Sequence, residues 1–292
     1  MGARVTVVIP AWDAYAGSGL LDAVASVQRQ RCAHQLIVVD NASRTPLPPL
    51  AGAAVLTLGA RVSTGAARNA ALQSIATPYV VFLDADDELI DGTLELLVGA
   101  MQRAPGPAAT FTILDAGTGE RHRSPRPIAA RLARRPPVLA FANAIWSVLP
   151  TQGATIMRVD AVRACGGYAD RDSGEDWVLG TSLTLRGRIG FDSRPALRYR
   201  ARADSPGNAP LRRRVLLGNA AAVRARLRSD PAAPAWLRTL LPGIAVAQTI
   251  VALVLSPTTR CARAVVSRAH LGGRIVRRRA HVSRSRPTGR SL

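Results

Sequence analysis

Three carboxylates stand within four residues at Asp84, Asp86 and Asp87, at the end of the apolar run Tyr79-Val-Val-Phe-Leu83. Asp84 and Asp86, two apart, can bring oxygens to one hard divalent cation, and Mg²⁺ or Mn²⁺ held this way usually also grips a substrate diphosphate. An acidic turn that only caps the next helix looks the same in isolation, so context must decide. A second pair, Glu175-Asp176, follows Gly174 and opens a helical pattern whose apolar positions are Trp177, Leu179, Leu183 and Leu185. A helix N-terminus favours ionised carboxylates, which suits a general base and equally suits plain capping. Asp13 and Asp40 each lie just past a short apolar run of their own.

The elements that must hold these acids follow from the pattern of the chain. Val5 to Ile9 reads as a strand halted by Pro10, with a polar turn from Ala11 to Gly19. A helix capped by Ser18 comes next, with Asp22 in its first turn and Leu20, Leu21, Val24 and Val27 on one face. Leu36 to Val39 is a second strand ending in Asp40, Asn41 and Ser43, and Ala54 to Leu58 a weaker third. Gly65 to Ala76 reads as an Ala-rich helix carrying Arg68 and Asn69 near its start. Residues 79 to 83 are apolar on both faces, as a strand inside a parallel sheet must be. Strands alternating with helices at this rhythm predict βαβ units and a mainly parallel, doubly wound α/β sheet. In such sheets ligands bind outside the carboxyl ends of the strands, where Asp40 and Asp84 fall.

Further on, Asp91 caps a predicted helix through Met101, and Ala109 to Leu114 forms a strand. Residues 115 to 150 read as a long loop with one helix around Ile128 to Arg134 and carry no assigned chemistry. Thr155 to Arg158 is a strand, Asp160 caps a short turn to Arg163, and Gly166-Gly167 follows.

At 292 residues the chain can hold one large domain or two small ones. Its net charge of +20 is uneven: residues 1 to 210 carry 22 Arg against 18 acids, residues 211 to 292 carry 17 Arg against Asp230 alone. There is no Lys, which with the abundant Ala points to GC-rich coding, so part of the basicity is not chemistry. Cys32, Cys165 and Cys261 form no paired motif and the four His stand alone, which argues against a disulfide framework or zinc site and fits a reducing cytosol. The N-terminus shows no secretory leader, so a cytoplasmic protein is expected. Leu237 to Leu255 is short and interrupted for a span, which needs about 20 apolar residues, and an interfacial or packed helix is expected. The tail from Arg260 to Arg290 suits an anionic cytoplasmic leaflet, with a solvated, codon-inflated tail as the alternative. The organisation expected is a catalytic domain over 1–210, a basic helical extension over 211–256 and a basic tail over 257–292.

Four pieces stand in a set order: Val5 to Pro10 with Asp13; Val38-Val39-Asp40-Asn41-Ala42-Ser43; Gly65 with Ala67-Arg68-Asn69; and Phe82-Leu83-Asp84-Ala85-Asp86-Asp87. That order resembles family 2 glycosyltransferases of the GT-A fold. The likeness continues through Gly166-Gly167-Tyr168, Glu175-Asp176 and Gly187 to Ser205, roughly the first 205 residues. The resemblance implies a Rossmann-like sheet flanked by helices and an inverting transfer from a UDP- or GDP-sugar to a glycan or glycolipid of the cell envelope. It implies that Pro10, Ala11 and Asp13 border the nucleotide, that Asp40 bonds the base, and that Arg68 lies near the diphosphate. Asp84 and Asp86 would make the Mn²⁺ or Mg²⁺ site, Asp86 the more direct ligand. Asp176 would be the acceptor's general base, with Glu175 as the alternative. Asn41 departs from the pattern, where an Asp is usual, and Asp13 often has Asn in its place. No Gln-x-x-Arg-Trp element is present, which favours a single transfer per binding event. The competing reading is a non-catalytic binding protein, either a degenerate relative or an Arg-tail nucleic-acid binder. Carboxylates gathered at strand ends have no use in the latter, and few aromatics interleave the tail for base stacking.

Overall fold

Four strands, β1 (Val5–Ala11), β2 (His34–Asp40), β3 (Ala54–Thr57) and β4 (Tyr79–Phe82), run parallel in the order β3-β2-β1-β4. The connecting helices α1 (Ser18–Gln28) and α2 (Thr64–Ser74) cover opposite faces of this half-sheet. Val7, Ile9, Val38 and Val81 pack with Leu20, Val24 and Val27 of α1, whereas Val8, Val39, Val80 and Phe82 pack with Ala67, Ala71 and Leu72 of α2. Coverage on both sides is why these strands are apolar without alternation. The computed structural model describes residues 2–13, 17–104, 106–123, 127–149, 152–200 and 213–254.

The second half of the sheet is mixed. After β5 (Glu88–Leu89), α3 (Thr93–Arg103), β6 (Ala108–Asp115), β7 (Arg121–Arg123), α4 (Pro127–Leu132) and α5 (Pro136–Ile145) come β8 (Thr155–Arg158) and α6 (Val159–Ala164). Then follow α7 (Glu175–Thr184), β9 (Gly190–Tyr199), α8 (Arg213–Ser229) and α9 (Ala235–Val254). The sheet continues β4-β8-β6-β9-β5, with β8 antiparallel to β4 and β6, β6 parallel to β9, β5 antiparallel to β9, and β7 on the side of β6.

Several local expectations change. Gly17, not Ser18, is the N-cap of α1, and Asp22 lies beyond its first turn. Gly92, not Asp91, caps α3, in a left-handed conformation (φ 79°) that favours glycine. Asp91 instead accepts a hydrogen bond from Arg29 Nε at 3.3 Å. Arg158 is the N-cap of α6, and Asp160 sits in its first turn, accepting from the Ala161 N–H. The stretch read as a loop with one helix around Ile128 to Arg134 does hold that helix, α4, and adds a second, α5, opened by Pro136-Pro137 at its first positions, where proline's missing N–H costs nothing. The predicted amphipathic helix α7 is buried nearly all round, from Trp177 through Thr184.

What covers α7 is a third cluster. Ala140 and Ala144 of α5, Trp177 and Val178 of α7, Ala220, Val223 and Leu227 of α8, and Leu237, Leu241 and Ile244 of α9 pack together. The segment predicted as a packed or interfacial helix therefore does pack, through one of its faces. Among the described residues no helix is long and apolar enough to cross a membrane. Residues 1–250 make up one compact unit. The tail over 257–292 and the chain from 201 to 212 lie outside the described residues.

Candidate active site

Register brings the predicted donor-side residues to one end of the sheet. Ala11 pairs with Asp40, and Val8 with Phe82, so Ala11, Asp40 and Asp84 emerge together at the carboxyl ends of β1, β2 and β4. Pro10 lies within β1 beside Val39. Asp13 follows the strand, and its carboxylate accepts from the Arg44 N–H at 2.7 Å and from Arg44 Nε at 3.0 Å. That side-chain hydrogen bond holds the Asp13 carboxyl below its usual range, and it ties the exit of β1 to the exit of β2. Beside them the Arg61 guanidinium lies 3.4 Å from the centroid of the Trp12 ring.

Asp40 is buried, and its Oδ1 accepts from the Ser43 N–H at 3.0 Å, closing a turn in which Ala42 takes a positive φ of 54°. Asn41 explains its own departure from the expected acid. Its Nδ2 donates to the Val62 carbonyl at 2.8 Å, while its Oδ1 accepts from the Val62 N–H at 2.9 Å. A carboxylate accepts but cannot donate, so only the amide satisfies both ends of Val62. The hydroxyl of Ser43 is buried without a partner among the described residues.

Arg68 is the centre of the site. It is 1 % exposed on α2, and its two terminal nitrogens reach Glu175 Oε1 at 2.6 Å and Asp84 Oδ1 at 2.7 Å. Its Nε is buried without a partner among the described residues, and the Tyr168 ring lies 5.1 Å from its guanidinium carbon. Burial works against the charge, but Asp84 and Glu175 outweigh it and raise the guanidinium pKa further. Glu175 is buried too and accepts a second bond, from Gln152 Nε2 at 3.3 Å. Burial pushes the Glu175 carboxyl up, Arg68 pulls against that, and adjoining Asp176 adds to the rise. Asp176 itself is only partly buried, at the start of α7. One guanidinium thus joins the acid turn after β4 to the acid pair at α7, a proximity that a sequence separation of 107 residues hides.

The three acids of the turn after β4 are not equivalent. Asp87 is buried, its Oδ1 accepts from the Arg200 N–H at 3.1 Å, and burial followed by the Asp84 charge pushes its carboxyl well up. The Arg200 side chain reaches Asp22 and Glu88, so Asp87 fastens the turn to the end of β9. Asp84 and Asp86 remain partly exposed. Among the described residues no group of three or more His, Cys, Asp or Glu is arranged to hold a metal. Two carboxylates from one turn nevertheless suit a hard cation whose other ligands come from a diphosphate and water, which is how Mg²⁺ is commonly held.

The loop leading into α7 is held from two sides. Asn69 of α2 donates to the Tyr168 carbonyl and accepts its N–H, both at 2.8 Å. A Cβ on Gly167 would come within 2.4 Å of Asn69 Oδ1, and one on Gly65 within 1.9 Å of the Ala169 carbonyl, so these glycines serve close packing of α2 on the loop. Thr64 donates its N–H to Asp172 at 2.9 Å. From the other side, Asn219 of α8 accepts from Arg171 at 3.0 Å and donates to the Ser173 hydroxyl at 2.9 Å, directly before the left-handed Gly174 (φ 75°). Asn219, Arg171 and Gln152 escaped the sequence reading: each is a lone polar residue with no characteristic spacing to mark it.

The fold is matched among solved structures. S. aureus TarS, residues 1–349 in complex with UDP-GlcNAc, matches with a TM-score of 0.63 at 14 % identity over 88 % of this chain and 74 % of that one. The mannosyltransferase PcManGT from Pyrobaculum calidifontis, in complex with GDP-Man and Mn²⁺, matches with a TM-score of 0.55 at 18 % identity over 93 % and 81 %. At such identities the likeness shows the fold alone, the GT-A arrangement. No curated protein sequence matches the chain. The sequence model for "Glycosyl transferase family 2" matches residues 6–166, more than half of the chain, and shows that the chain belongs to glycosyltransferase family 2 and is a transferase.

Proposed function

We propose that the protein moves a sugar from a nucleoside-diphosphate donor to a hydroxyl of a lipid-linked or cell-envelope glycan, with inversion at the anomeric carbon. The observation that carries this reading is the buried Arg68 bridge between Asp84 and Glu175. The bridge supports reading the turn after β4 as the diphosphate site and the neighbouring acid pair at α7 as the source of the base. Pro10, Ala11 and Asp13 border the nucleotide, and Asp40 accepts an N–H of the base through the carboxylate oxygen that Ser43 does not occupy. Asp84 and Asp86 would hold Mg²⁺ or Mn²⁺, which when bound neutralises charge on the departing diphosphate. Asp176 takes the proton as the acceptor oxygen bonds to the anomeric carbon and the bond to the diphosphate oxygen breaks. Glu175, ion-paired with Arg68, orients rather than reacts. Because the acceptor attacks the face opposite the leaving group, configuration inverts.

The neighbours' ligands support the donor class: one is in complex with UDP-GlcNAc, another with GDP-Man and Mn²⁺. We place the activity on the cytoplasmic face of the plasma membrane, where the arginines beyond residue 210 meet anionic lipid at about 1 kcal/mol each. The test is thermal unfolding with UDP, GDP and their sugars, with and without Mn²⁺, on wild type and Asp86→Ala. One nucleotide should raise the midpoint in a metal-dependent way, by the equivalent of about 2.7 kcal/mol at roughly 100 times its dissociation constant. Asp86→Ala should lose that shift and the transfer activity. Absence of a shift with every one of these nucleotides, on well-folded protein, would overturn the reading.

A further inference from the structure

α9 is apolar well beyond the face it packs. Leu237, Leu241 and Ile244 are buried against α5, α7 and α8, yet Trp236 is 43 %, Leu240 46 %, Val246 60 % and Ile250 54 % exposed. At 3.6 residues per turn, Trp236, Leu240, Ala247 and Ile250 fall within about 80° of arc, a stripe roughly 21 Å long. An ordinary surface helix is polar on the side away from its core. Here Arg238 and Thr249 lie on a separate arc, and the one polar residue at the edge of the stripe, Thr239, donates its hydroxyl to the Trp236 carbonyl within the helix. The stripe does not end at the helix. Gln248 donates to the carbonyls of Ala144 and Ile145, and the Trp236 ring lies 6.4 Å from that of Phe141, so the end of α5 adjoins α9. There Ile145 and Trp146 are again exposed, at 43 % and 55 %. Contiguous exposed apolar surface of this kind marks an interaction site.

Charge identifies the occupant. Residues 127–149 and 213–254, which include α4, α5, α8 and α9, contain nine Arg and one acid. That acid, Asp230, is buried and ion-paired with Arg186, so it offsets nothing at the surface. So basic a set of helices repels a second copy of itself, which disfavours a dimer of this chain. An anionic bilayer complements both features: its head groups meet the arginines, its acyl boundary takes the aliphatic side chains, and Trp favours the interface between them. α9 holds Pro242 and is not apolar enough to span, so it lies along the surface.

We propose that the exposed face of α9, with Ile145 and Trp146 beside it, is a docking surface for an anionic lipid bilayer. This deepens the membrane placement given above and names a surface distinct from the basic tail. It does not depend on the nucleotide chemistry. The test is cosedimentation of the full chain with vesicles of phosphatidylcholine, with and without phosphatidylglycerol, for wild type and for Trp236→Ser/Leu240→Ser/Ile250→Ser. These side chains are exposed, so the variant should keep its thermal midpoint; Trp236→Ser alone serves if it does not. Wild type should bind the phosphatidylglycerol vesicles, with a blue shift of tryptophan emission. The triple variant should bind at least about tenfold more weakly, and Trp236→Ser alone should reduce the blue shift. Equal binding by the variants would overturn the proposal in favour of the tail, and so would absence of wild-type binding. A dimer of wild type that the variant loses, seen by light scattering, would assign the face to a second copy. Nucleotide-induced thermal shifts on the same samples report the catalytic reading separately, so failure of one is distinguishable from failure of the other.

Discussion

The parallel half of the sheet and the helical layer around α7 contribute to the same site by opposite means. In the parallel half, β1, β2 and β4 deliver Ala11, Asp40 and Asp84 to one place because parallel register leaves no other choice. Position there follows from the backbone. Around α7, Glu175 and Asp176 are positioned by side chains from distant segments: Arg68 and Asn69 from α2, Gln152 ahead of β8, Asn219 from α8. Position there follows from individual polar contacts. The first design is set mainly by strand register, with Asn41 pinning the end of β2; the second rests on single residues throughout.

Arg68 links the two regions, and its removal should have the largest effect. Arg68→Ala leaves Glu175 buried without its counter-charge, and loss of one partner of a buried ion pair costs about 3–5 kcal/mol. The exposure of Asp84 moves the expectation to the lower end of that range. Urea unfolding should show the loss, and transfer should vanish; Arg68→Lys, lacking the two-pronged geometry, should recover stability better than activity. A loss under 1 kcal/mol would mean that the two regions stand without the bridge. Next in size is Asn41→Asp, the change toward the family's usual residue. It removes the donor to the Val62 carbonyl and adds a charge beside Asp40, and should destabilise by about 1–3 kcal/mol in urea. A neutral outcome would show that the end of β2 is held by register alone. Smallest in stability is Asn219→Ala, about 1–2 kcal/mol for the neutral bond to Ser173 and the part-buried bond from the Arg171 guanidinium. Its effect should fall on one region only: a lower kcat with the donor-induced thermal shift unchanged. If donor binding weakens as much as kcat, the separation drawn between the two regions fails.

The same contrast decides what could be read from the sequence. The acids at strand ends were legible because apolar runs that stop at Asp40 and Asp84 carry both the strand and the site in adjacent residues. Arg68 was legible only through its company of motifs, and its burial between two carboxylates was not. α5 was missed because Pro136-Pro137 among arginines reads as a break, although proline at the first positions starts a helix as readily as it ends one. From its sequence α7 reads as amphipathic because its hydroxyl residues look like a wet face. They are buried, and Thr181 and Thr184 donate to the carbonyls of Trp177 and Thr181 within the helix. The starts of α1 and α3 were misplaced for a related reason: glycines occupy the capping positions where Ser18 and Asp91 were the chemically obvious choices.

The hold of Asn219 on the loop before α7 also sets a schedule for synthesis. Its contacts reach back 48 residues to Arg171 and 46 to Ser173. Domains form as the chain leaves the ribosome, N-terminal parts first, and contacts between neighbouring segments close soonest. The strand ends from β1 to β4 can therefore be in place while α8 is still untranslated. Until α8 arrives, Trp177 and Val178 lack part of their cover and the loop before the acid pair lacks its second fastening, so the acid turn after β4 can take its final place before the acid pair at α7 does.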